Sequence, residues 1–438
     1  MDLRKHLEIL RKIELLKEID TEVDIKHEVA SLIYNIGKHS GKAVLFNNIK
    51  NYPRWKMVGG VFSTPDLTAI ALGANGKNLL SHYMQSCRFP LDPEITSEAS
   101  FTETIISGKD IDLYKLPIPT HAERDIGPYI LGAVQVAKNP EDGYRNVSIH
   151  RMLLLGRDKL SLYAFPYRSL GRCIQKSEER NEGLPIAIAI GVEPSILIAS
   201  QAKTQQKIDK FAIAGALQQN PIKLVKCRTI DIEVPASSEI VIEGKTIPHE
   251  RVLDGPCGEY SGCYGSPQEV PLFQVQTIMM RNPSVFQTCL TGFPITENHN
   301  LSKLGVEAWI WEELKKLNVR TTGINLTFGG TVRRHLIISI EKRHDEEPKN
   351  IIFQLTSSMI GIKQVVIVDK DVDIFNPMEV EWAICTRVQP DKDVIILPPM
   401  MSMGLDPSAI KPLVSSAWGI DATMPMLKDE RYDRVKYI

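Results

Sequence analysis

Residues 145–151 read RNVSIHR, and residues 254–259 read DGPCGE. The first stretch places an amide, a hydroxyl and a guanidinium on a predicted strand. The second holds two carboxylates five positions apart across a turn rich in Gly and Pro. If the two stretches face each other in the fold, Arg151 lies between Asp254 and Glu259.

The composition is that of an ordinary globular protein. A chain of 438 residues with 43% hydrophobic residues can fill more than one core. Lys plus Arg number 52 and Asp plus Glu number 53, which gives a net charge of -1. This balance argues against the global basic field that nucleic-acid-binding proteins use, so we expect a small-molecule substrate and no nucleic-acid partner.

The seven cysteines are scattered and never form a CxxC pair, so the sequence predicts neither a disulfide framework nor a zinc knuckle. The first 20 residues are charged and amphipathic, and no apolar run reaches the roughly 18 residues of a membrane span. We therefore expect no signal peptide, no membrane association and a cytoplasmic location.

The N-terminal part mixes helix and strand signals. Apolar residues at helical spacing predict one helix within residues 2–19 and a second from Glu28 to Gly37. The strand-like stretches AVLFNNI and KMVGGVFS follow, and then a Leu/Ala-rich helix that ends in NLLSHYM. We predict an N-terminal α/β domain over residues 1–102.

From about residue 103, short apolar stretches alternate and are broken by Pro and Gly, as is typical of a β-rich barrel or sandwich. Helices are expected only at Ser169–Asn181 and from Lys210 onward. The sequence therefore predicts a central β-rich domain over residues 103–297.

A long amphipathic helix is predicted from about Leu301 to Leu317. Beyond it, the strand-like stretches HLIISIEK, QVVIVDK and DVIILPP alternate with helices, which predicts a third domain of the α/β or α+β class over residues 298–438. No phosphate-loop or Gly-rich Rossmann pattern occurs in the sequence, so neither mode of nucleotide binding is supported.

The first polar stretch allows two interpretations. In a regular strand, Asn146, Ser148 and His150 share one face and Arg151 lies on the other. A bulge or the end of the strand is needed to bring Asn146 and Arg151 toward one cavity. Without that irregularity, the stretch is a polar strand that faces solvent.

The two acids are equally open to two interpretations. Asp254 and Glu259 could be solvated carboxylates of an ordinary turn. Alternatively, a neighbouring Arg sets their ionisation, so that one carboxylate stays charged beside the guanidinium while the other cycles a proton. The spacing alone leaves both interpretations standing.

Taken with their surroundings, these stretches resemble the UbiD family of reversible decarboxylases, which use prenylated flavin mononucleotide (prenylated FMN). The resemblance covers nearly the whole chain. It implies a central split β-barrel that binds the flavin, a C-terminal oligomerisation domain, a homodimer or homohexamer, and a flavin prenyltransferase that supplies the cofactor. The pieces that carry it occur in the order DLYKLPIPTHAERDIGPYILGAVQVAKNPEDGYRNVSIHRM, LPIAIAIGVEPSILIAS, IAGAL, IKLVKCRTIDIEVPASSEIVIEG, LDGPCGEYSGCYG and GIDAT.

The resemblance also implies roles for individual residues. Arg151 matches the catalytic Arg of the family, and Asp254 and Glu259 match its two acids. The first acid is usually Glu, so Asp254 is one methylene shorter. We expect Glu259 to be the proton donor. The expected cofactor-binding residues are Asn146, Ser148, Ile149, Arg151, Tyr167, Arg168 and Lys210.

The metal site of the family is only partly matched. Family members hold a divalent metal (Mn) and a monovalent ion (K) near the flavin phosphate through an Asn, a His and a Glu. Asn146 is kept, but FPYR at 165–168 stands in place of the His, and Asp209 and Lys210 stand where the Glu is expected. Asn146 and Asp209 remain as candidate metal ligands, whereas Arg168 and Lys210 favour phosphate binding without a metal.

The function that the resemblance implies is nonoxidative, reversible decarboxylation of an α,β-unsaturated or aromatic carboxylic acid, which makes the chain a carboxy-lyase. The additional cations make a phosphorylated or CoA-linked acid a substrate to consider. Two alternatives belong to other classes: a flavin-binding subunit of a carboxylase complex that does not itself decarboxylate, and a flavin reductase.

Overall fold

The computed structural model describes residues 1–74, 76–203, 207–358, 361–402, 404–409, 411–427 and 429–435. The chain forms two compact units, Met1–Leu304 and Gly305–Ile438. The helices are α1 Leu3–Lys12, α2 Glu28–Ser40, α3 Pro65–Ala71, α4 Leu79–Arg88, α5 Ser169–Glu178, α6 Pro194–Ser200, α7 Lys210–Leu217, α8 Glu297–Lys316, α9 Glu347–Thr356, α10 Pro377–Arg387 and α11 Pro390–Asp393.

The strands of the first unit form several sheets. They are β1 Leu16–Ile19, β2 Ala43–Phe46, β3 Lys56–Gly59, β4 Glu94–Ile95, β5 Thr104–Ser107, β6 Tyr129–Ile130, β7 Ala133–Lys138, β8 Arg145–Ser148, β9 Met152–Leu153, β10 Lys159–Ser161, β11 Pro185–Ile190, β12 Lys223–Lys226, β13 Glu233–Pro235, β14 Ile240–Asp254, β15 Cys257–Gly258, β16 Tyr264–Gly265, β17 Gln268–Met280 and β18 Val285–Gln287. The strands of the second unit are β19 Thr321–Leu326, β20 His335–Ile340, β21 Gln364–Asp369, β22 Val394–Met401 and β23 Val414–Ala422.

The first helix is shorter than the sequence predicts. The side chain of Asp2 caps its start by accepting a hydrogen bond from the Lys5 amide. The helix ends at Lys12, and Glu14 adopts a left-handed conformation with φ of 59°. Leu16 therefore begins β1, which pairs in parallel with β2. The apolar spacing of this stretch fits a helix, but pairing with the sheet decides its conformation.

The N-terminal sheet has the strand order β1-β2-β3-β18. Its last strand, Val285–Gln287, pairs in parallel with β3 although it follows the whole central part of the chain. The second predicted helix is confirmed as α2, Glu28–Ser40. The residues up to Leu304 form one compact unit. The proposed division into three domains at residues 102 and 297 stays a prediction.

The central sheet confirms the predicted β-rich region. Its strand order is β10-β17-β14-β11-β7-β8, and β5 pairs with β17. The long strands β14 and β17 run antiparallel and pair from Ile240 with Met280 to Asp254 with Gln268. This pairing places Asp254 at the very end of β14, where the chain turns toward Glu259.

The second unit confirms the predicted alternation of helices and strands. Its sheet has the order β19-β20-β21-β23-β22. Along β20, Leu336 and Ile338 belong to a core shared with α8 and α9, whereas Ile337 belongs to a separate core shared with α10. Because successive strand residues point to opposite faces, helices cover both faces of this sheet. The long helix starts at Glu297, earlier than the predicted Leu301.

Among the residues that the structure describes, no helix is both long enough and apolar enough to cross a membrane. All seven cysteines are free thiols, in agreement with the prediction that the chain has no disulfide framework.

We predict that Ile188→Ala lowers the free energy of unfolding by about 2–5 kcal/mol, the cost of truncating a core aliphatic side chain. Ile188 is fully buried in the middle of β11, between Ile242 of β14 and Gln135 of β7. Urea unfolding followed by circular dichroism measures the change. The matched control is Ile95→Ala, whose side chain is 63% exposed and should cost less than about 1 kcal/mol. Equal effects of the two substitutions would contradict the assignment of the core.

Candidate active site

Arg151 reaches the candidate site because its strand ends early. β8 stops at Ser148 and β9 begins at Met152, so His150 and Arg151 lie in the link between two strands. The carbonyl of Arg151 accepts a hydrogen bond from the Tyr163 amide at 3.2 Å. From the sequence, either a bulge or the end of the strand was needed to bring Asn146 and Arg151 toward one cavity. The structure has a strand end at this place.

The structure brings Arg151, Asp254 and Glu259 together. The guanidinium of Arg151 donates from Nε and Nη2 to Oδ1 of Asp254, at 2.9 and 2.7 Å, and from Nη1 to Oε1 of Glu259. All three residues are buried, and the side chain of Asp254 is 0% exposed. The interpretation of the two acids as solvated residues of a surface turn is therefore wrong. The shorter side chain of Asp254 also does not prevent a direct contact with Arg151.

Two hydroxyl groups complete the surroundings of Asp254. Ser161 donates to its Oδ2 at 2.5 Å and itself accepts a hydrogen bond from the Leu153 amide at 2.8 Å. Tyr129 donates to its Oδ1 at 3.2 Å. Together with the contacts from Arg151, these hydrogen bonds occupy both carboxylate oxygens of Asp254.

The turn between the two acids needs glycine. Gly255 has φ of 103°, a conformation that side chains rarely adopt. After this turn, β15 and β16 form a small hairpin, in which the Glu259 amide donates to the carbonyl of Cys263 at 3.0 Å. Asp125 fixes the hairpin from outside by accepting a hydrogen bond from the Gly258 amide at 2.9 Å. Glu259 is thus held by backbone contacts at the start of a tight loop.

Burial controls the ionisation of the cluster. It raises the pKa of Glu259 to about 7, although the nearby charge of Arg151 acts to lower it. Burial alone would lower the pKa of Arg151, but the charges of Glu259 and Asp254 raise it above its ordinary value. Arg151 is therefore a permanent cation, while Glu259 can exchange a proton near neutral pH.

Tyr163 covers the guanidinium. The Cζ atom of Arg151 lies 3.6 Å from the centroid of the Tyr163 ring, within the range of a cation–π contact. In the described ranges, the buried hydroxyl of Tyr163 has no hydrogen-bond partner. An orphaned hydroxyl beside Arg151 is available to a molecule bound there, because buried polar groups are normally paired.

The sequence did not single out Tyr129, Ser161 and Tyr163. A signal existed for Ser161, which lies between Leu160 and Leu162 in a buried stretch and therefore requires a polar partner. Tyr129 and Tyr163 occur in aromatic and apolar stretches that read equally well as core.

The predicted cofactor-binding residues of the first stretch form a hydrogen-bonded chain. Asn146 Nδ2 donates to Ser148 Oγ at 3.0 Å, and His150 contacts Ser148 Oγ through Nε2 and the Tyr163 carbonyl through Nδ1, both at 3.0 Å. A carbonyl can only accept, so Nδ1 carries the proton and Ser148 donates to Nε2. Burial lowers the pKa of His150 to about 4, so the ring is neutral and serves to position Ser148. Ile149 is half-buried beside this chain.

Lys210 and Arg168 supply two cations near this network. Lys210 Nζ donates to the carbonyls of Val147, at 2.8 Å, and Ser200, at 2.6 Å. Burial and the nearby charge of Arg168 lower the pKa of Lys210 to about 8, so it remains mostly protonated at pH 7. Tyr167 stacks on Phe165, with ring centroids 5.2 Å apart. Amide, hydroxyl and cationic donors together suit the phosphate of a flavin mononucleotide.

The residues around Asn146 and Asp209 suit a phosphate, but they do not fit a divalent metal. Asp209 accepts hydrogen bonds from Arg145 Nη1, at 2.7 Å, and from the Phe211 amide, at 2.9 Å. Its carboxylate is therefore committed to an arginine and to the cap of α7. Within the described part of the chain, no group of three or more His, Cys, Asp or Glu residues is arranged to hold a metal ion.

A cavity of about 410 Å³ borders the loop of Glu259, and Gly258, Gly262 and Cys263 form part of its wall. His121 also lines it, with Nε2 placed 2.7 Å from Thr288 Oγ1 and Nδ1 without a partner in the described residues. Burial lowers the pKa of His121 to about 3, so this ring is neutral. The volume is typical of a small-molecule site.

Comparisons with known proteins give matches along nearly the whole chain. Three family models match: the 3-octaprenyl-4-hydroxybenzoate carboxy-lyase N-terminal domain over residues 7–87, its Rift-related domain over 94–294 and its C-terminal domain over 299–422. Anhydromevalonate phosphate decarboxylase of Methanothermobacter thermautotrophicus is 32% identical over 95% of this chain and 96% of its own length. Phenolic acid decarboxylase of Sedimentibacter hydroxybenzoicus is 31% identical over 97% of this chain and 92% of its own length.

Among solved structures, the UbiD-class enzyme HmfF from Pelotomaculum thermopropionicum in complex with FMN is similar with a TM-score of 0.92. It is 39% identical, and the match covers 100% of this chain and 97% of that protein. This agreement confirms the fold that the sequence resemblance implies.

We predict that Asp254→Ala lowers the free energy of unfolding by about 3–5 kcal/mol, because it leaves the buried Arg151 without a main partner. The measurement is urea unfolding of the flavin-free protein. The control is Asp231→Ala, whose carboxylate pairs with Lys138 and Lys226 but is 80% exposed, so its loss should cost less than about 1 kcal/mol. A loss for Asp254→Ala as small as that of the control would show that the cluster does not stabilise the fold.

Proposed function

Because the chain belongs to the UbiD family of decarboxylases, we propose that it catalyses the nonoxidative, reversible decarboxylation of an aromatic or α,β-unsaturated carboxylic acid with prenylated FMN. The observation that carries this proposal is the buried cluster in which Arg151 contacts both Asp254 and Glu259. It combines a fixed positive charge with an acid that exchanges a proton near neutral pH.

Arg151 orients the substrate. A guanidinium has five N–H groups, and the contacts with Asp254 and Glu259 use one each on Nε, Nη1 and Nη2. One N–H on Nη1 and one on Nη2 therefore remain for the carboxylate of the substrate, which a guanidinium binds in a defined orientation. The contacts with Asp254 and Tyr163 hold the guanidinium in place before the substrate arrives.

Glu259 supplies the proton. When CO₂ leaves, the carbon that carried it needs a proton, and the protonated carboxyl of Glu259 is the donor; in the reverse direction the carboxylate removes that proton. Its raised pKa keeps a large protonated fraction at neutral pH. Asp254 keeps Arg151 in position through the contacts from Nε and Nη2.

The prenylated flavin, when bound, supplies the electron sink for the loss of CO₂. Arg151 and Tyr163 lie at the end of the site where the chemistry takes place. The residues that would hold the cofactor are Asn146, Ser148, Ile149, Arg151, Tyr167, Arg168 and Lys210. Homo-oligomerisation, supply of the cofactor by a flavin prenyltransferase and a cytoplasmic location stay predictions.

The cavity beside Glu259 is our candidate for the part of the substrate away from its carboxylate. Among its described lining residues none is Lys or Arg, and the buried His121 is neutral. Tyr34, Tyr264 and Phe293 line it as well. With no Lys or Arg among the described lining residues, this lining favours an uncharged aromatic or unsaturated group over a phosphate or CoA group.

The two alternative classes are not favoured. A subunit that only binds flavin has no need of a buried acid with a pKa near neutrality, and a flavin reductase has no need of a guanidinium held between two carboxylates. Both features suit acid–base chemistry on a carboxylic acid.

We predict that Glu259→Gln abolishes turnover but leaves flavin binding intact, because the amide keeps the shape of the side chain but cannot donate the proton. The rate should fall by at least about 100-fold, the usual contribution of general acid catalysis. The assay is release of CO₂ from a panel of phenolic, cinnamic-type and phosphorylated unsaturated acids, after co-expression with a flavin prenyltransferase. Arg151→Ala should lose both turnover and flavin.

The control for this prediction is Glu182→Gln, an exposed glutamate outside the cluster. It should retain the wild-type rate and flavin content. Near-full decarboxylation, or near-full proton exchange into the product, by Glu259→Gln would show that another group is the donor.

We also predict that kcat/KM for decarboxylation falls as the pH rises above about 7, by about tenfold per unit, since only protonated Glu259 donates. The sign follows from the raised pKa of Glu259: the active, protonated form dominates below it and is lost above it. Rates measured between pH 5.5 and 9 test this. A profile that stays flat through pH 9 would contradict the role of Glu259.

A further inference from the structure

Lys210 is a half-buried cation fixed to the backbone of the predicted cofactor-binding strand. Its ammonium group donates to the carbonyls of Val147 and Ser200 at 2.8 and 2.6 Å. Val147 lies between Asn146 and Ser148, so Lys210 is attached to the strand that carries both of these side chains. An ammonium has three N–H groups, and these contacts use two of them.

The surroundings of Lys210 contain no compensating acid. In the described parts of the chain, no carboxylate pairs with it, and the neighbouring Asp209 is paired with Arg145 instead. Arg168, a second cation, is near enough to affect the ionisation of Lys210. A half-buried positive charge that contacts only backbone carbonyls suits an anion from elsewhere.

We propose that Lys210, with Arg168, is the built-in cation of the phosphate site, and that the flavin phosphate is bound there without a divalent metal. The donor set at this place conflicts with the metal that the family resemblance implies. Lys210 stands where a metal-binding carboxylate is expected, and Asp209 is unavailable because Arg145 holds it. The proposal rests on the proposed function only for the identity of the ligand as a flavin mononucleotide.

The charges support this arrangement. A flavin phosphate carries nearly two negative charges, and the ammonium and the guanidinium together carry two positive ones. A divalent ion beside Lys210 would be repelled by the ammonium. The third N–H of Lys210 can instead contact the phosphate oxygens directly, and the positive charge of Arg168 adds to the attraction.

The test measures binding of plain FMN and of riboflavin, which lacks the phosphate, to flavin-free full-length protein. Lys210→Gln keeps an amide that can donate to backbone carbonyls but removes the charge. We expect it to weaken FMN binding by at least about tenfold and to change riboflavin binding by less than about twofold, because only FMN has the charged group. In the wild type, EDTA or added Mn²⁺ should change neither affinity.

The matched control is Lys207→Gln. Lys207 is an exposed lysine three residues away whose ammonium pairs with Asp142. Its substitution should leave both flavin affinities unchanged. Equal FMN affinities for Lys210→Gln and the wild type would overturn the proposal. So would stoichiometric manganese in the purified holoprotein, or loss of FMN binding in EDTA.

If circular dichroism shows that Lys210→Gln does not fold, the metal content and the effect of EDTA on the wild type still decide the outcome, with Arg168→Gln as the second charge-removing variant. These measurements need no turnover. A metal-free, phosphate-dependent FMN site in a protein that decarboxylates no tested acid would uphold this inference and defeat the proposed function. Decarboxylation by a holoprotein that contains stoichiometric manganese would uphold the proposed function and overturn this inference.

Discussion

The candidate site depends on the burial of one guanidinium. A charge removed from water is tolerated only when opposite charge and hydrogen-bond partners surround it, and Arg151 has two carboxylates beside it. One cation with two ionised acids leaves a net negative charge in a buried place, whereas a single bound proton makes the cluster neutral. Asp254 accepts hydrogen bonds from four donor atoms, and burial raises the pKa of Glu259 to about 7, so Glu259 is the acid that can hold this proton. The raised pKa of Glu259 is thus a consequence of the shared burial.

The chemical end and the phosphate end of the site are joined through the backbone of Tyr163. Its amide donates to the carbonyl of Arg151, and its carbonyl accepts from His150, which in turn orients Ser148. The ring of the same residue covers the guanidinium. One short segment therefore sets the positions of Arg151, the proposed substrate-binding cation, and of the predicted cofactor donors, so we expect them to keep a fixed separation.

The sequence predicts this site better than it predicts the boundaries of the elements around it. Arg151, Asp254 and Glu259 are polar residues at breaks in β-rich stretches, where turn residues fix the chain, and the structure brings them together. By contrast, Leu16 fits a helical repeat but joins a sheet, and β23 was not predicted because two serines hide its alternating burial. In each case a contact distant in sequence determines the conformation. Ser161 and Tyr129 likewise contact a distant residue: both donate to Asp254, which lies about a hundred residues further along the chain, so the sequence does not show this contact.

The two ends of the site require opposite electrostatic properties, and the residues at each end match that requirement. Proton donation needs a group that changes charge during a cycle, and burial beside a permanent cation gives Glu259 that property. Anchoring a phosphate needs positive charge held in a fixed place. The carboxylate of Asp209 is neutralised by Arg145, so the positive charges of Lys210 and Arg168 are not offset by it. Because Lys210 is fixed by two backbone carbonyls, its charge stays in place whether or not a ligand is bound. A divalent metal ion would supply the same two positive charges, but it would need carboxylate ligands, and the carboxylate of Asp209 is already paired with Arg145.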